Sequence, residues 1–550
     1  MLAPVFRFGP FELDAAAYQL RRDGVAVKLE HRPLELLICL IERRGHLVSR
    51  TEIIERLWGR DVFVDVEAGI NTAIRKARKA LGDETNGPAY LETVVGKGYR
   101  FKGAVTVTSA TPARSSVAVL PVAGLDADPD TQYLADGITE ELIAALGQVL
   151  PDEFRVVGRT TMMRYQRSEK PLATIAAEIG AQFLVESSLR CEGDSIRLVT
   201  RLIAAAEQTQ LWGGTFDGER RKSILACQRQ LSEAIANQVH AHVLGPRAES
   251  FGKRQGSNPA AYDLYLRGRY RWNQLSAETT RQAIEHFQRA TSFDGDYALP
   301  WAGLAVCFAA APVTGDASAG QMLGPARHAV ERAQRGGGAD LAEVQTAEGF
   351  VQFWLEWDFA RAEESFRRAA AMDPSDSLAH RMIGVVLGHQ GRAEEGSLSS
   401  RQACELDPLN AANFALAAQV AFFGRDFSRA MALARKAIAI DPALWVGYLQ
   451  LAQAAERLDL PEEAFRALDN GAPFCGNNSK MAALRGFLLA RAGHPDAARA
   501  LRQELADRRS QRFCPPYAEA LISLGLGEWD RAIEHLQHSI EMRDVHLHFL

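Results

Sequence analysis

The stretch Ala430-Met-Ala-Leu-Ala-Arg-Lys-Ala-Ile-Ala-Ile-Asp441-Pro442 ends in an Asp-Pro pair that recurs at a fixed interval along the chain. The three copies, Asp373-Pro374, Asp407-Pro408 and Asp441-Pro442, follow one another at steps of 34 residues. A small residue keeps the same step over a longer range, at Ala362, Gly396, Ala430, Ala464, Ala498 and Ala532. Strict self-similarity at this period predicts stacked helix-turn-helix units, because no single unit can bury its apolar face alone.

The bulk composition predicts a globular protein of several domains, since 550 residues are too many for one hydrophobic core. Seven cysteines are scattered without any C-x-x-C pair, which predicts reduced thiols rather than disulfides or a zinc site. No run approaches the roughly 18 apolar residues that a membrane helix needs, and no secretory signal is visible. We therefore expect a soluble, cytoplasmic protein without a membrane partner.

Charge is unevenly distributed along the chain, whose formal net charge is −5. Residues 1–105 carry 17 Lys and Arg against 14 Asp and Glu, so this segment is basic and the remainder is acidic. The excess is too small to indicate nucleic-acid binding by itself, and its placement is more informative.

The first hundred residues predict strands and helices closed by a hairpin. The elements are a hairpin at 19–27 around Asp23-Gly24, a helix after Pro33, a helix from the capping box Ser49-Arg-Thr-Glu52, a helix near 67–81 and a hairpin at 91–101. Helices followed by a β-hairpin predict a winged helix-turn-helix, whose last helix can enter a major groove.

The predicted helix near 67–81 has a buried and a basic side. The apolar stripe consists of Ile70, Ile74, Ala77 and Leu81. The other side carries Asn71, Arg75 and Arg78 along one line and Thr72, Lys76 and Lys79 along the next. Lys97, at the tip of the following hairpin, is placed to approach a phosphate or the minor groove. For the charges alone, a solvated helix face is the alternative.

Motifs over residues 5–102 resemble the winged-helix output domain of OmpR/PhoB response regulators. They are Phe8-Gly-x-Phe11-Glu-Leu, Arg32-Pro33-Leu-Glu-Leu-Leu37, Gly45-x-x-Val48-Ser49-Arg50-x-Glu52, Leu57-Trp58, Arg78-Lys-Ala-Leu-Gly82-Asp83 and Glu92-Thr-Val-x-Gly96-x-Gly98-Tyr99-Arg100-Phe101. Ala77 departs from this pattern, where many relatives carry Leu. The N-terminal placement is that of CadC- and HilA-type regulators. No receiver domain precedes the module, so we expect no control by aspartyl phosphorylation in cis.

The resemblance implies a set of DNA contacts. The helix around Asn71–Lys79 would contact base edges, with Asn71, Thr72, Arg75, Lys76, Arg78 and Lys79 as its candidate residues. Phosphate and wing contacts would come from Arg32, Ser49, Arg50, Thr51, Lys97, Tyr99 and Arg100. The Gly59–Asp65 loop would contact RNA polymerase, and the protein would bind DNA as a homodimer.

A mixed α/β domain is predicted at 117–245, after a Thr/Ser/Ala-rich linker at 106–116. The order is β-α-β-α-β-β-β-α, ending in a long helix at 224–244. The segment resembles the TolB-like module through Val117-Ala-Val-Leu-Pro121, Leu134-Ala-Asp136-Gly137-Ile-Thr139-Glu-Glu-Leu142, Val185-Glu-x-Ser-Leu189-Arg190 and Leu211-Trp212. Asp136-Gly137 is interpreted as a turn at the start of a helix rather than a ligand contact.

The repeat segment 258–542 resembles tetratricopeptide repeats, with about eight helix pairs. The copies with Ala362-x-x-x-Phe366-x-x-Ala369 and Ala430-x-x-x-Ala434-x-x-Ala437 carry this resemblance. It implies an all-α solenoid whose concave surface binds a protein, peptide or small molecule. A spacer or dimerisation arm is the alternative. No set of Lys and Asn residues on successive first helices marks a carboxylate clamp.

Catalytic and metal-binding motifs are not found in the sequence, which predicts a non-enzymatic protein without cofactors. His535, His538, His546 and His548 are close together, but we interpret them as a polar helix face and a loose tail at 543–550. The sequence as a whole predicts a DNA-binding transcription regulator with a sensing region. The alternative is a signalling scaffold whose winged helix and repeats bind proteins.

Overall fold

The computed structural model describes most of the chain in two compact units, 1–114 and 115–550. The described residues are 4–14, 19–22, 25–27, 29–43, 45–58, 66–83, 90–94, 97–103, 105–109, 115–125, 129–149, 154–193, 195–219, 234, 258–272, 277–315, 317–335, 337–476, 478–509 and 513–549. Each unit is a separate body with its own core.

Unit 1 contains three helices between two groups of strands. In chain order its elements are β1 Pro4–Phe8, β2 Phe11–Asp14, β3 Gln19–Arg22, β4 Val25–Val27, α1 His31–Glu42, β5 Leu47–Ser49, α2 Arg50–Trp58, α3 Val66–Leu81, β6 Leu91–Val94, β7 Gly98–Phe101 and β8 Thr106–Ser109. The predicted helices and hairpin strands occur in the expected order, whereas β5 and β8 were not predicted. The turn at Asp23-Gly24 lies outside the described residues.

Two antiparallel sheets flank the helices of unit 1. The first has the order β4-β3-β2-β1-β8, and the second has the order β5-β7-β6. Strand β8 pairs with β1 from within the segment predicted as a linker, so that sheet extends into the 106–116 region. In the second sheet β5 passes so close to Gly98 that a Cβ there would collide with the Val48 carbonyl oxygen. Only glycine fits at the start of β7.

The core of unit 1 confirms the predicted apolar stripe of α3. Helix α1 buries Leu34, Leu37, Ile38 and Ile41, and helix α3 buries Ile70, Ile74, Ala77 and Leu81. Phe8 packs edge-on against Phe101, with ring centroids 5.0 Å apart, and joins the two sheets. Because both apolar helix faces point into this core, the opposite face of α3 is left for solvent or a ligand.

Unit 2 begins with a mixed sheet and its helices. The elements are β9 Ser115–Val119, β10 Ala123–Gly124, α4 Pro129–Val149, β11 Phe154–Val156, α5 Arg159–Met163, α6 Leu172–Ile179, β12 Phe183–Glu192, β13 Ser195–Ala204 and β14 Thr209–Glu219. The sheet order is β11-β9-β12-β13-β14, with β10 paired to β12. The β11, β9 and β12 strands are parallel, and β12 to β14 are antiparallel. The helix predicted at 224–244 falls outside the described residues, apart from residue 234.

Asp136 and Gly137 lie in the interior of α4, so their assignment to a turn is wrong. The Asp136 carboxylate accepts hydrogen bonds from Gln132 and Gln166, at 2.8 and 3.0 Å. Burial raises the pKa of Asp136. A Cβ on Gly137 would meet the Leu266 side chain at 2.8 Å. The glycine therefore lets the first helix of the repeat region approach α4 closely.

The described part of unit 2 from residue 258 onward is helical. Its helices are α7 Pro259–Trp272, α8 Ala277–Phe293, α9 Ala298–Gly315, α10 Ala319–Arg335, α11 Ala342–Val351, α12 Phe359–Met372, α13 Ser377–His389, α14 Ala393–Leu406, α15 Ala411–Phe423, α16 Phe427–Ile440, α17 Trp445–Arg457, α18 Pro461–Gly471, α19 Ser479–Arg491, α20 Pro495–Arg509, α21 Pro516–Gly525 and α22 Trp529–Glu541. Short 3-10 helices lie at Gly338–Asp340, Ala472–Phe474 and Val545–Phe549, and α11 continues as a π-helix at Gln352–Glu356.

Consecutive helices form eight packed pairs in this described part of the chain, α7 with α8 through α21 with α22. From α12 onward the second helix of each pair begins 34 residues after the previous one. The small residues that predicted the period are the fourth residue of each of these helices and are buried. A Cβ on Gly396 would meet the Gly384 carbonyl oxygen at 2.7 Å, so a larger residue there would separate α13 from α14.

Helix α9 is long and apolar enough to cross a membrane by length and composition, with a mean hydropathy of 1.5. The prediction that no stretch approaches this length is therefore wrong. In unit 2 the helix packs against α8, α10 and α11, and 56% of it is buried. It is a core helix of the second pair in this structure.

The sheet domain and the helix pairs predicted as separate domains form one compact unit. The Asp407 carboxylate accepts a hydrogen bond of 2.6 Å from the Thr161 backbone N–H, and the Thr161 hydroxyl accepts one of 2.7 Å from the Leu409 N–H. The Gly158 N–H donates to the Leu406 carbonyl at 2.8 Å. An Asp-Pro pair of the repeat therefore also holds the loop that leads into α5.

The C-terminal segment is packed against the helices, so its prediction as a loose tail is wrong. Asp544, Val545, His546 and His548 are buried. The Arg543 guanidinium donates to the Leu355 and Glu356 carbonyls at 3.2 and 3.0 Å, and thus satisfies the end of the π-helix. The segment returns to the third helix pair across almost 190 residues of sequence.

Candidate nucleic-acid interface

Helix α2 begins at the predicted capping box. The Ser49 N–H donates to the Glu52 carboxylate at 2.8 Å, and the Glu52 N–H donates to the Ser49 hydroxyl at 3.2 Å. The hydrogen bond from the Ser49 backbone is the largest of the effects that lower the pKa of Glu52. Because the Ser49 hydroxyl also donates to the Glu52 carboxylate, its hydrogen already has an acceptor within the protein.

The outer face of α3 presents a mixture of exposed and engaged side chains. Asn71, Thr72, Arg75 and Lys79 are exposed, whereas Lys76 and Arg78 are half-buried. Within the described ranges, no residue pairs with the Arg75 guanidinium or the Lys79 ammonium group. These two cations lie one turn apart on the face opposite the buried stripe, where they are available to a ligand.

Arg78 connects α3 to the hairpin rather than pointing away from the protein. Its Nη2 atom donates to the Leu91 carbonyl at 2.7 Å and to the Thr93 hydroxyl at 2.9 Å, both on β6. A guanidinium held in this way fixes the wing relative to the helix. The structure therefore separates Arg78 from Arg75, although the sequence placed both along one line.

Tyr99 and Asn71 form a second link between α3 and the hairpin. The Tyr99 hydroxyl donates to the Asn71 amide oxygen at 3.1 Å, and Tyr99 is only 3% exposed. The Arg50 guanidinium lies 5.8 Å from the centroid of the Tyr99 ring. Tyr99 is thus placed as a support under Asn71 and Arg50, and its ring is not at the surface.

Lys76 forms an ion pair with Glu30, the residue before α1. Its ammonium nitrogen lies 2.6 and 2.7 Å from the two carboxylate oxygens. Both side chains are substantially exposed, and pairs of this kind contribute about 0–1 kcal/mol. So weak a pair can exchange Glu30 for another anion.

The remaining candidates lie at the edges of this surface. Arg32, Thr51 and Lys97 are exposed. The Arg100 guanidinium lies 3.4 Å from the Glu92 carboxylate on the neighbouring strand. The Gly59–Asp65 loop, for which an RNA polymerase contact was implied, falls outside the described residues, as does Gly96.

Two residues of the interface were missed by sequence reasoning. Glu30 is 46 positions from Lys76, and nothing local indicates their contact. The Asp83 carboxylate accepts from the Tyr90 and Leu91 N–H groups, at 3.2 and 2.9 Å, and anchors the start of β6. Asp83 belongs to the Gly82-Asp83 motif, so the sequence pointed to this residue. It did not indicate that Asp83 anchors the start of β6.

A basic helix with free cations, tied to a β-hairpin, defines the class of winged-helix DNA-binding domains. Residues 24–101 match the family described as "Transcriptional regulatory protein, C terminal". The N-terminal unit therefore carries a winged-helix domain of the OmpR/PhoB type, which confirms the resemblance seen in the sequence.

Several known proteins are similar to this chain. Transcriptional regulator HilA of Salmonella typhimurium is 22% identical over 310 residues, which cover 55% of this chain and 53% of HilA. DNA-binding dual master transcriptional regulator RpaA of Synechocystis is 35% identical over 91 residues, covering 16% of this chain and 37% of RpaA. Putative adenylate cyclase 3 of Rhizobium meliloti is 28% identical over 195 residues, covering 36% of this chain and 33% of that protein.

A solved structure is also similar to part of the chain. The RstA DNA-binding domain of Klebsiella pneumoniae, in complex with the RstA box, is 28% identical and covers 18% of this chain and 96% of that one, with a TM-score of 0.17. The chain spans about a third of the cyclase-named relative and about half of HilA.

Proposed function

We propose that this protein is a transcription regulator that binds duplex DNA in a sequence-specific manner through α3 and the wing of unit 1. The observation that carries the proposal is the pair of unengaged cations, Arg75 and Lys79, on the exposed face of α3. The tethers through Arg78 and Tyr99 hold the wing beside this face. Lys97, exposed at the wing, is positioned to contact a phosphate.

The direct contacts divide into two sets in this proposal. Arg75, Thr72 and Asn71 reach base edges, because they occupy adjacent exposed positions of α3. Arg32, Thr51, Lys97 and Lys79 contact phosphates, and Lys76 joins them after exchanging Glu30 for the DNA backbone. Arg78 and Tyr99 act by positioning the helix and the wing.

Unit 2 serves as the sensing region in this proposal. We assign its mixed sheet to the TolB-like module and its helix pairs to the tetratricopeptide repeats, which support this role because stacked pairs create an extended concave surface. A protein, peptide or small molecule on that surface is the signal. We place the protein in the cytoplasm with its DNA, as a non-enzymatic regulator that contacts RNA polymerase through the 59–65 loop and binds DNA as a homodimer.

Replacing Arg75 tests the base-reading role. Selection of duplexes from a random pool by the full chain should yield a defined sequence preference. Arg75→Ala should weaken binding to the selected duplex by about 1–3 kcal/mol and relax the preference at one position, since one good bidentate contact contributes that much discrimination. Fluorescence anisotropy on matched and mismatched duplexes measures both effects.

Arg21→Ala is the matched control, because Arg21 is an exposed arginine of the same unit that bonds Gln19 on β3. It should leave DNA affinity nearly unchanged. Lys97→Ala should weaken binding to all duplexes alike and reduce the salt dependence by about one counterion. A full chain that shows no salt-sensitive duplex binding contradicts the proposed function.

A further inference from the structure

Unit 2 contains a cavity of about 570 Å³ between its mixed-sheet domain and its helix pairs. The first helix of each of the first seven pairs contributes to the wall, from α7 to α19. Helix α4 and the loop leading into α5 contribute the opposite wall. Cavities of this size are typical of sites for small organic molecules.

Aromatic and aliphatic side chains cover most of the cavity wall. Four large rings, Trp272, Phe350, Trp354 and Trp445, come from three different helix pairs. Rings from separate elements surround a bound molecule without filling the space, and they offer flat surfaces to an apolar body. The wall therefore favours a ligand with an aromatic or aliphatic part.

Three arginines from distant parts of the chain also line the cavity. Arg159 comes from α5, Arg269 from the first helix pair and Arg381 from the fourth. Burial lowers the pKa of each of the three guanidinium groups. Arg269 and Arg381 line the same cavity although they are 112 positions apart in the chain.

The acidic groups of the cavity wall have partners inside the protein. Glu140 forms ion pairs with Arg269 and Arg159, and Glu343 is a further counter-charge for Arg269. Asp407 accepts from Thr161, as described above. The Asp376 carboxylate caps α13 by accepting from the Leu378 N–H at 2.8 Å. These four carboxylates are thus engaged by other groups of the protein.

Some donors of the wall, in contrast, make no hydrogen bond to the described residues. The Nε atom of Arg381 is buried in this state, and the buried Nε atom of Arg159 has an ion pair with Glu140 at 3.4 Å but no hydrogen bond. The Thr346 hydroxyl is also buried without a hydrogen bond, and Thr346 as a whole is only 5% exposed. Buried donors of this kind are costly to leave unsatisfied. A ligand that presents oxygen acceptors would satisfy them.

We propose that this cavity binds a small organic anion, with a carboxylate, sulfonate or phosphate head held by Arg159, Arg381 and Thr346 and an apolar body against the tryptophans. The inference rests on the proposed sensing role of unit 2 and names the chemical class of its signal. Because the wall combines the mixed-sheet domain with seven helix pairs, such a ligand bridges both parts of the unit.

A pair of fluorescent probes tests the site in the full chain. The anionic probe is 1-anilinonaphthalene-8-sulfonate, and the neutral one is N-phenyl-1-naphthylamine, which has the same rings without the sulfonate. The anionic probe should bind at one saturable site and about tenfold to a hundredfold more tightly than the neutral probe, because charged hydrogen bonds contribute that much. Fluorescence titration gives both affinities.

Arg381→Gln and Arg159→Gln should remove most of the advantage of the anionic probe while leaving the neutral probe nearly unchanged. Arg368→Gln, at an exposed arginine that pairs with Glu364 on α12, is the matched control and should change neither affinity. Ala412→Trp fills the cavity without altering its charges, so it should weaken both probes. Circular dichroism spectra check that each variant is folded.

Equal affinities of the two probes for the unaltered chain would overturn the proposal. So would an unchanged anionic advantage in both arginine variants, or probe binding that Ala412→Trp does not weaken. The titrations contain no DNA. If the protein binds the anionic probe but no duplex, the proposed regulator is contradicted and the cavity assignment is intact. If it binds duplex but shows no preference for the anionic probe, the cavity assignment is contradicted and the proposed regulator is intact.

Discussion

At the scale of single residues, Arg75 and Arg78 have different roles on the outer face of α3. They lie three positions apart on α3 and carry the same guanidinium. Arg78 is bound to the Leu91 carbonyl and the Thr93 hydroxyl of β6, whereas the Arg75 group meets no partner among the described residues. The first contributes to the stability of the winged helix, and the second is available for recognition.

Arg78→Ala should therefore lower the stability of unit 1 by about 1 kcal/mol, because it removes two hydrogen bonds from a partly exposed charged donor. Arg75→Ala should change stability by no more than a few tenths of a kcal/mol. Hydrogen exchange of the full chain at several denaturant concentrations, followed on peptides from unit 1, measures both variants. Equal destabilisation by the two substitutions would contradict the division of roles.

At the scale of elements, the turn inside each of the later helix pairs contains one residue with left-handed backbone geometry. The six positions follow one another at 34-residue steps: Trp357, Gly391, Arg425, Asp459, Gly493 and Gly527, with φ between 58° and 85°. Glycine occupies three of them because it has no Cβ to clash in this conformation. The repeat is thus expressed in backbone conformation as well as in buried small residues.

Gly391→Ala should destabilise unit 2 by about 1 kcal/mol through backbone strain alone, since no atom lies within 4 Å of the added Cβ. Gly320 provides the control, because it is an exposed glycine inside α10 whose added Cβ would meet only the Ser318 hydroxyl, at 3.8 Å. Gly320→Ala should stabilise by about 0.5 kcal/mol, since alanine favours a helix. Shifts of opposite sign in the denaturant midpoint check the pair, and shifts of the same sign would refute the assignment.

At the scale of the whole molecule, the C-terminal segment connects parts of unit 2 that are remote in sequence. His548 is 6% exposed and stacks on Trp354, with ring centroids 5.3 Å apart. Its backbone carbonyl lies 2.7 Å from the Nε2 atom of His389. Both imidazole nitrogens of His548 are buried without a hydrogen bond among the described residues. Burial lowers the pKa of His548 and of His389.

These depressed pKa values predict that acid destabilises unit 2. Below the unfolded-state pKa of about 6.5 the unfolded chain binds protons that the folded histidines do not, so stability falls as the pH is lowered from 7 to 5. His548→Phe should raise stability at pH 7 by about 1 kcal/mol, because an unsatisfied polar ring becomes an apolar one, and should flatten the pH dependence. Thermal unfolding at several pH values measures both changes.

His494→Phe is the corresponding control at an exposed histidine, and it should preserve the acid sensitivity. If His548→Phe keeps the full pH dependence, the buried imidazole is not its source.

Much of the architecture could be predicted because its signals are local. The 34-residue period, the capping box at Ser49 and the apolar stripe of α3 each depend on residues within a few turns of one another. The left-handed positions were partly signalled by Gly391, Gly493 and Gly527. The other three positions could not be recognised, because the residue types at Trp357, Arg425 and Asp459 do not indicate a left-handed backbone conformation.

What the amino-acid order determined alone is therefore the set of helices and strands, the repeat and the identity of the basic face, since these follow from periodicity and local hydrogen bonding. Tertiary structure alone decided that Arg78 binds the wing, that Arg159 and Arg381 line the same cavity, and that the C-terminal histidines are buried. Each of these depends on contacts between residues far apart in the chain, whose distance no local preference encodes.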